Sequence, residues 1–342
     1  MKFIILGAGA IGCYVGGRLA ASGQQVSLVG RPRMVTALSA QGLRLSDQAG
    51  FDAQVKAADL HLATSLADAY QLLEIDKNAS TSSVCVLVCT KATGTQAAAT
   101  EIAQTCPPGT MVVSLQNGVE NAKHLASGAP AMKVLAGMVP FTVNWRGDHH
   151  VYQANTGQLQ LQRSPDSERI APALQAASLG AELHDDMQGI LWGKLLINLL
   201  NPINALANIP IRAQLLQRDY RLVYAALQSE ALAVLKAANI QPAKVSAAAP
   251  HVIPKVLRLP NWLFTRLAKG MLKTDPAAKT SMCEDLQNGR TTEIDDLCGA
   301  VLRLAAQHAV KAPLNQAVLD LVISYKTGQN WSGTKMRAIL RV

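Results

Sequence analysis

At 342 residues the chain is about twice the usual single-domain length, and it is 49% hydrophobic but only 4% aromatic. These values favour two domains with separate cores and exclude a disordered chain or a repeat array. Lys and Arg number 32 against 23 Asp and Glu, a balance open to anionic small molecules, nucleic acid or a membrane surface.

The chain opens with Met1-Lys2-Phe3-Ile4-Ile5-Leu6 and turns at once into glycines. This leaves no room for a signal peptide, and no uninterrupted apolar run approaches the ~18 residues of a membrane span, so a cytoplasmic location is expected. Phe3–Leu6, Val26–Val29, Val84–Val88 and Met111–Leu115 read as buried strands. Helical windows near Ala10–Ala21, Thr95–Gln104 and Val119–Ala126 separate several of them, as in βαβ units with a mainly parallel sheet. Gly42–Val55 and His150–Gln162 read as more polar strands, antiparallel additions to that sheet. Cys85 and Cys89 lie in an apolar run and read as buried thiols. Together with Cys13, Cys106, Cys283 and Cys298 they lack the close pairs of zinc or disulfide frameworks, so no metal site is expected. After about residue 185 the strand signal gives way to Ala/Leu-rich stretches, Asp186–Ala207, Gln217–Ala238, Thr292–Ala309 and Pro313–Tyr325. The expected architecture is therefore α/β: a Rossmann-type domain over 1–184, then an all-α domain over 185–342.

Gly7-Ala8-Gly9-Ala10-Ile11-Gly12 follows a strand and opens a helix. In such a fingerprint Gly7 permits a tight turn, Gly9 lets the backbone approach a pyrophosphate, and Gly12 lets helix and strand pack closely. The second strand ends without the acid that an NAD site uses on the ribose. Gly30-Arg31-Pro32-Arg33 follow instead, and Arg31 can pair with the 2′-phosphate of NADP unless these arginines are only solvated loop charges. Lys91 and Asn117 follow the next strands and should converge with Gly7 and Arg31 on one ligand, although Asn117-Gly118 is also a common turn.

In the helical half, Lys194, Asn198 and Asn201 fall at i, i+4 and i+7, one stripe of a helix, opposite Trp192, Leu195, Leu196, Leu199 and Leu200. One ammonium and two amides between Ile190 and Ile197 suit a cleft wall, against the plainer reading of a surface lysine with incidental amides. Pro202 should kink this helix by freeing the carbonyl of Asn198. Further on, Ser281, Asp285 and Asn288 share a helical face, Gly289 is a stop, and Thr291 or Thr292 can cap the next helix. Glu293 then falls in a first turn, where spacing alone leaves a dipole role and a catalytic role open.

In this order the glycine fingerprint, Arg31, Lys91, Gln116-Asn117-Gly118, Leu191-Trp192-Gly193-Lys194 and Ser281…Arg290-Thr291-Thr292-Glu293-Ile294-Asp295 closely resemble the ketopantoate reductase (2-dehydropantoate 2-reductase) family over nearly the whole chain. The resemblance implies a helical domain like the C-terminal domain of 6-phosphogluconate dehydrogenase and NADPH-dependent reduction of 2-dehydropantoate to pantoate, a step towards coenzyme A. It implies Lys194 as proton donor and Glu293 as organiser of the site. Ser281 and Asn117 would bind the keto acid with Asn198 and Asn201 nearby, and Arg31 and Lys91 would reach the phosphate and adenosine end of NADP. A reductase of another branched 2-keto acid and a non-catalytic NADPH sensor are the competing readings. The expected partner is a small 2-keto acid, with no nucleic acid or membrane and a homodimer left open. Two departures stand out: Pro202 replaces an asparagine found in some relatives, leaving amides at Asn201 and Asn204, and Lys244–Lys273, with six basic residues and no acid, looks inserted. Packing or a lid is preferred for that segment over an anionic-surface binder.

Overall fold

The computed structural model describes residues 1–76, 83–273 and 275–342. The chain divides into two compact units, Met1–Met187 and Gln188–Val342.

In chain order the first unit comprises β1 (Lys2–Leu6), α1 (Ala10–Ala21), β2 (Gln25–Val29), α2 (Pro32–Gln41), β3 (Leu43–Asp47), β4 (Asp52–Val55), β5 (His61–Ala63), α3 (Leu66–Leu72), β6 (Val84–Val88) and α4 (Thr95–Thr105). It continues with β7 (Met111–Ser114), α5 (Asn121–Gly128), β8 (Lys133–Met138), β9 (Val143–Trp145), β10 (His150–Gln153), β11 (Gln160–Gln162), α6 (Pro165–Ala176) and β12 (Glu182–His184). The main sheet runs β12-β11-β8-β7-β6-β1-β2-β5, and the strands from β8 to β5 are mutually parallel. Numbered by their order in the chain, those six strands stand 6-5-4-1-2-3, the doubly wound dinucleotide-binding order with its switch point between β1 and β6.

Side chains of one strand divide between two cores. Cys85 and Leu87 pack with Phe3, Ile5 and Leu28, whereas Val84, Val86 and Val88 pack with Ile4, Leu6 and Val29 on the other face. A strand buried on both faces has no polar alternation, which is why Val84–Val88 reads as a continuous apolar run. The polar strands behave differently from expectation. Most join neither edge of the main sheet but form a second sheet, β4-β3-β10-β9, with β10 parallel to β3; only β11 adds antiparallel to β8. Arg18 of α1 secures this sheet: it donates to the Ala177 carbonyl at 2.9 Å, lies 3.5 Å from the Asp47 carboxylate and stacks on Phe51. Cys85 is buried as expected, but Cys89 is partly exposed, because it lies beyond the last paired residue of β6.

The second unit is helical among the described residues: α7 (Met187–Asn198), α8 (Leu200–Ala207), α9 (Ile211–Leu216), α10 (Arg218–Ala237), α11 (Ile253–Leu257), α12 (Asn261–Leu267) and α13 (Ser281–Gln287). A π-helical segment (Asp295–Gly299) then runs into α14 (Ala300–Gln307), followed by α15 (Pro313–Ile323) and α16 (Gly333–Leu340). The stretch Met187–Ala207 is, contrary to expectation, long and apolar enough to cross a bilayer by length and composition. However, 67% of its apolar window is buried inside the protein, the behaviour of a core helix. The basic segment is tied to α10 by Arg221, which is 1% exposed. Its guanidinium donates to the carbonyls of Leu215, Leu257 and Leu259 and to Asn261 Oδ1 at 2.8–3.1 Å, and it lies 4.1 Å from the centre of the Phe264 ring.

Candidate active site

In the first unit the nucleotide fingerprint resolves into three different glycines. A Cβ on Gly7 (φ +108°) would come within 2.5 Å of the Thr90 amide nitrogen, and one on Gly12 within 2.2 Å of the Gly7 carbonyl oxygen, so both are required by packing. Gly9 is different: it is exposed, its backbone is ordinary extended chain, and a Cβ there would meet nothing within 4 Å. Internal packing therefore does not explain Gly9, whereas the approach of an external group does. Gly9 also precedes the first residue of α1, whose N-terminus has no side-chain cap and no acid in its first turn. Such an end presents N–H groups and a positive dipole to an anion. Ala8, Ala10 and Ile11 complete the turn, and the amides of Gly7 and Ala8 both donate to the Val29 carbonyl at the end of β2.

Two residues beyond Val29, Arg31 stands exposed at the start of α2, and its guanidinium makes no hydrogen bond or ion pair among the described residues. Arg33 is also exposed and lies 3.7 Å from Asp148. A free guanidinium beside an open glycine turn fits the 2′-phosphate of NADP. The loops after β6 and β7 meet the same turn. Gly7 abuts the Cys89–Thr90 backbone, Lys91 follows, and Gln116 joins the two loops. The Gln116 amide donates to the Thr95 and Thr90 hydroxyls at 2.8 and 3.1 Å and accepts from Ser114 at 3.1 Å. Thr95 in turn donates to Asn121 at 2.8 Å, and Asn121 donates to the Asn117 carbonyl. This chain of bonds leaves both Asn117 and Lys91 exposed, with Gln116 Nε2 donating to the Lys91 carbonyl at 3.4 Å. Thus Gly7, Arg31, Lys91 and Asn117 all lie at the C-terminal ends of neighbouring parallel strands. Thr95 and Asn121 went unrecognised in the sequence, and Gln116 was read only as part of the Gln116-Asn117-Gly118 motif, because the bonds that tie the two loops together span 21 to 26 residues.

We expect the glycines to separate by experiment. Gly12→Ala should destabilise the protein by about 1–3 kcal/mol, since the turn carbonyl must move. Gly9→Ser keeps a good cap residue and should unfold within about 0.5 kcal/mol of wild type, yet bind NADPH about tenfold more weakly, readable by fluorescence titration alongside thermal melts.

In the second unit Lys194 lies on α7, partly buried, with no hydrogen bond or counter-ion among the described residues. Burial holds its pKa below the ordinary lysine value, because the ammonium loses hydration. The preceding Gly193 is a packing requirement: the Ala243 carbonyl crosses so closely that a Cβ would meet it at 2.4 Å, and the Ala243 amide donates to the Gly189 carbonyl. Trp192, Leu195, Leu196 and Leu199 are buried as expected, but Leu200 is only partly so. The single helical stripe is also corrected. The helix breaks at Leu199, ahead of Pro202, so Asn198 ends α7 and Asn201 lies in the first turn of α8, both partly exposed.

Asn204 is fully buried and structural: it donates to the Ile209 carbonyl and Gln214 Oε1 and accepts from the Thr280 amide at 3.0 Å. Thr280 caps α13, which begins with the exposed Ser281, so Asn204 ties Ser281 to the α7–α8 pair. Ser281 and Asp285 lie one turn apart on α13 and Asn288 follows its last residue, but their surroundings differ: Asp285 is buried and lies 3.7 Å from Arg290, whereas Ser281 and Asn288 are exposed. Gly289 (φ +65°) does stop the helix, with the Arg290 amide returning to the Asp285 carbonyl. Glu293 precedes the helical residue Ile294 instead of lying in the first turn, and a π-helical segment follows at once. The extra residue per turn is accommodated at Gly299, where a Cβ would strike the Asp295 carboxylate, itself paired with Arg303 at 2.8 Å. Among the described residues no group of three or more His, Cys, Asp or Glu is placed to hold a metal ion.

Strand order, the space over Gly9 and the free arginine place the first unit among dinucleotide-binding domains, here followed by a helical unit that presents a lysine without a counter-ion among the described residues. Residues 3–166 match the family described as ketopantoate reductase PanE/ApbA, and residues 186–326 match the C-terminal domain of the same family. The chain belongs to the ketopantoate reductase family. A crystal structure of a PanE/ApbA family ketopantoate reductase from Ralstonia eutropha JMP134 is 30% identical, with TM-score 0.78, covering 94% of this chain and 97% of that one. The 2-dehydropantoate 2-reductases of Pyrococcus horikoshii and Halobacterium salinarum are 29% and 27% identical. Each alignment covers 94% of this chain, and 96% and 98% of the relative.

Proposed function

We propose that this chain reduces 2-dehydropantoate to pantoate with NADPH, Lys194 giving the proton to the ketone oxygen. It is an NADP-dependent oxidoreductase of its family and acts on a small keto acid. The observation that carries the assignment of roles is the partly buried ammonium of Lys194 without a counter-ion among the described residues. A carboxylate partner would spend that charge, whereas an unneutralised ammonium can stabilise negative charge as it develops on oxygen and then protonate it.

Bound NADPH supplies the hydride. The turn Gly7-Ala8-Gly9-Ala10-Ile11-Gly12 holds the pyrophosphate, Arg31 the 2′-phosphate, and Lys91 and Asn117 the remainder of the cofactor. Ser281, Asn198 and Asn201 offer a hydroxyl and two amides, all at least partly exposed, to the carboxylate and hydroxyl of the keto acid, with Asn117 as a further contact. Glu293, at the start of a helix interrupted by a π-turn, orders the substrate hydroxyl or Lys194. A cytoplasmic location and a homodimer belong to the same reading.

Steady-state NADPH oxidation with a panel of branched and hydroxylated 2-keto acids tests the substrate. 2-Dehydropantoate should give the highest kcat/KM; a clear preference for another acid would reassign it, and cofactor binding without turnover on any acid would remove the catalytic assignment. Arg31→Ala should narrow the preference for NADPH over NADH by about tenfold, since one charge-assisted phosphate contact is lost. An unchanged preference would return Arg31 to the status of a solvated loop charge.

A further inference from the structure

The break between α7 and α8 poses a mechanical problem for Lys194, which lies on α7 shortly before it. Pro202 has no N–H to offer, Leu199 leaves the helix, and the last turn of α7 loses part of the continuous ladder that would hold it. Lys194 projects from that end of α7. Its own ammonium finds no anchoring partner among the described residues, so its position depends on the backbone beneath it.

That backbone is gripped from the side. The Tyr224 hydroxyl donates to the Ile197 carbonyl at 2.9 Å, with the Leu196 carbonyl at 3.4 Å, and Gln228 Nε2 donates to the Leu196 carbonyl at 2.9 Å. Tyr224 and Gln228 lie one turn apart on α10, and both are buried. The glutamine is conspicuous: its neighbours Leu227, Ala231, Val234 and Leu235 form an apolar core, and its Oε1 is buried without a partner. Packing alone would be served better by Leu or Met at this position. What the amide adds is a donor aimed at a main-chain carbonyl two residues after Lys194.

We propose that Tyr224 and Gln228 are positioning residues for Lys194, clamping the last turn of α7 so that the ammonium holds a fixed place beside the reacting oxygen. The proposal rests on the reading of Lys194 as the proton donor. Neither residue touches substrate; they act through the carbonyls of Leu196 and Ile197. The two contacts fall at the helix break, where those carbonyls accept from side chains of α10.

The test uses the full-length enzyme with Tyr224→Phe, which removes one oxygen and keeps the ring, and Gln228→Met, which keeps the length and volume. Lys194→Ala is measured alongside. For each, kcat, KM for the keto acid, KM for NADPH and the thermal midpoint are determined. The expected result is that kcat falls about tenfold or more in each positioning variant while both KM values stay within about twofold, because misplacement by a fraction of an ångström weakens the chemical step and not binding. A wild-type kcat in both variants would overturn the proposal, whether or not the thermal midpoint falls, since that is the signature of a purely structural bond. If Lys194→Ala retained wild-type turnover, the proton-donor reading would fail first and the clamp with it. Loss of turnover in Lys194→Ala beside unimpaired Tyr224→Phe and Gln228→Met would refute the clamp alone.

Discussion

Replacing Lys194 by alanine is expected to lower kcat for keto acid reduction by about a thousandfold, roughly 4 kcal/mol of transition-state stabilisation, while NADPH affinity changes less than about threefold. The size follows from two contributions lost together. Hydride addition turns the carbonyl oxygen into an alkoxide, and in the proposed role the ammonium both stabilises that charge and delivers the proton. Partial burial strengthens the first effect, because water screens the charge less, and eases the second by lowering the pKa of the group. NADPH affinity should survive because the residues proposed to hold the cofactor, from Gly7 to Asn117, belong to the first compact unit and Lys194 to the second. Rapid-mixing measurement of the hydride step, with fluorescence titration of NADPH, separates the two quantities. Turnover near that of wild type would remove Lys194 from the mechanism.

The second large effect concerns stability. Arg221→Met should destabilise the helical unit by about 3–5 kcal/mol, lowering its melting midpoint by roughly 6–20 °C. Arg221 is a buried cation without a carboxylate partner among the described residues; carbonyls and one amide oxygen from Leu215, Leu257, Leu259 and Asn261 surround it, and Phe264 lies against its flat face. Burial lowers its pKa, yet guanidinium remains charged across the physiological range. Methionine would fill much of the space but leave several buried acceptors without donors, and the cost of those acceptors exceeds what the added apolar contact returns. Because these acceptors lie in α9, in α11 and at the start of α12, the loosening should begin in residues 215–264, where hydrogen exchange would report it first. NADPH binding should be retained, and a variant as stable as wild type would show that the basic segment is held by other contacts.

The fold was legible where physics acts locally. Val84–Val88 and Phe3–Leu6 read as strands because both of their faces are buried, and Gly7 to Gly12 read as a nucleotide turn because strand, turn and helix follow within a dozen residues. The short polar strands were only half legible: β3, β4, β9 and β10 pair over gaps of up to about a hundred residues, and no local pattern shows that they leave the main sheet. At the site, residue types marked the positions offered for chemistry, but not what holds them. Gly193 is glycine because Ala243 crosses it, Asn204 is spent on Thr280 and Gln214, and Gln116 bridges Thr90 and Thr95. Each of these depends on a partner brought close only by the fold. Asp285 shows the converse, since helical spacing put it with Ser281 and Asn288, but its pairing with Arg290 and its burial separate it from them.

The pH dependence of kcat for NADPH-driven reduction of 2-dehydropantoate tests the central claim most directly. If Lys194 is the proton donor, as proposed, turnover should be intact below its pKa and fall as pH rises through it, with the midpoint below the ordinary lysine value of about 10.4 because burial lowers it. In Lys194→Met the residual rate should lose that limb. The same limb persisting unchanged in Lys194→Met would show that another group delivers the proton, and the account would fail at its centre.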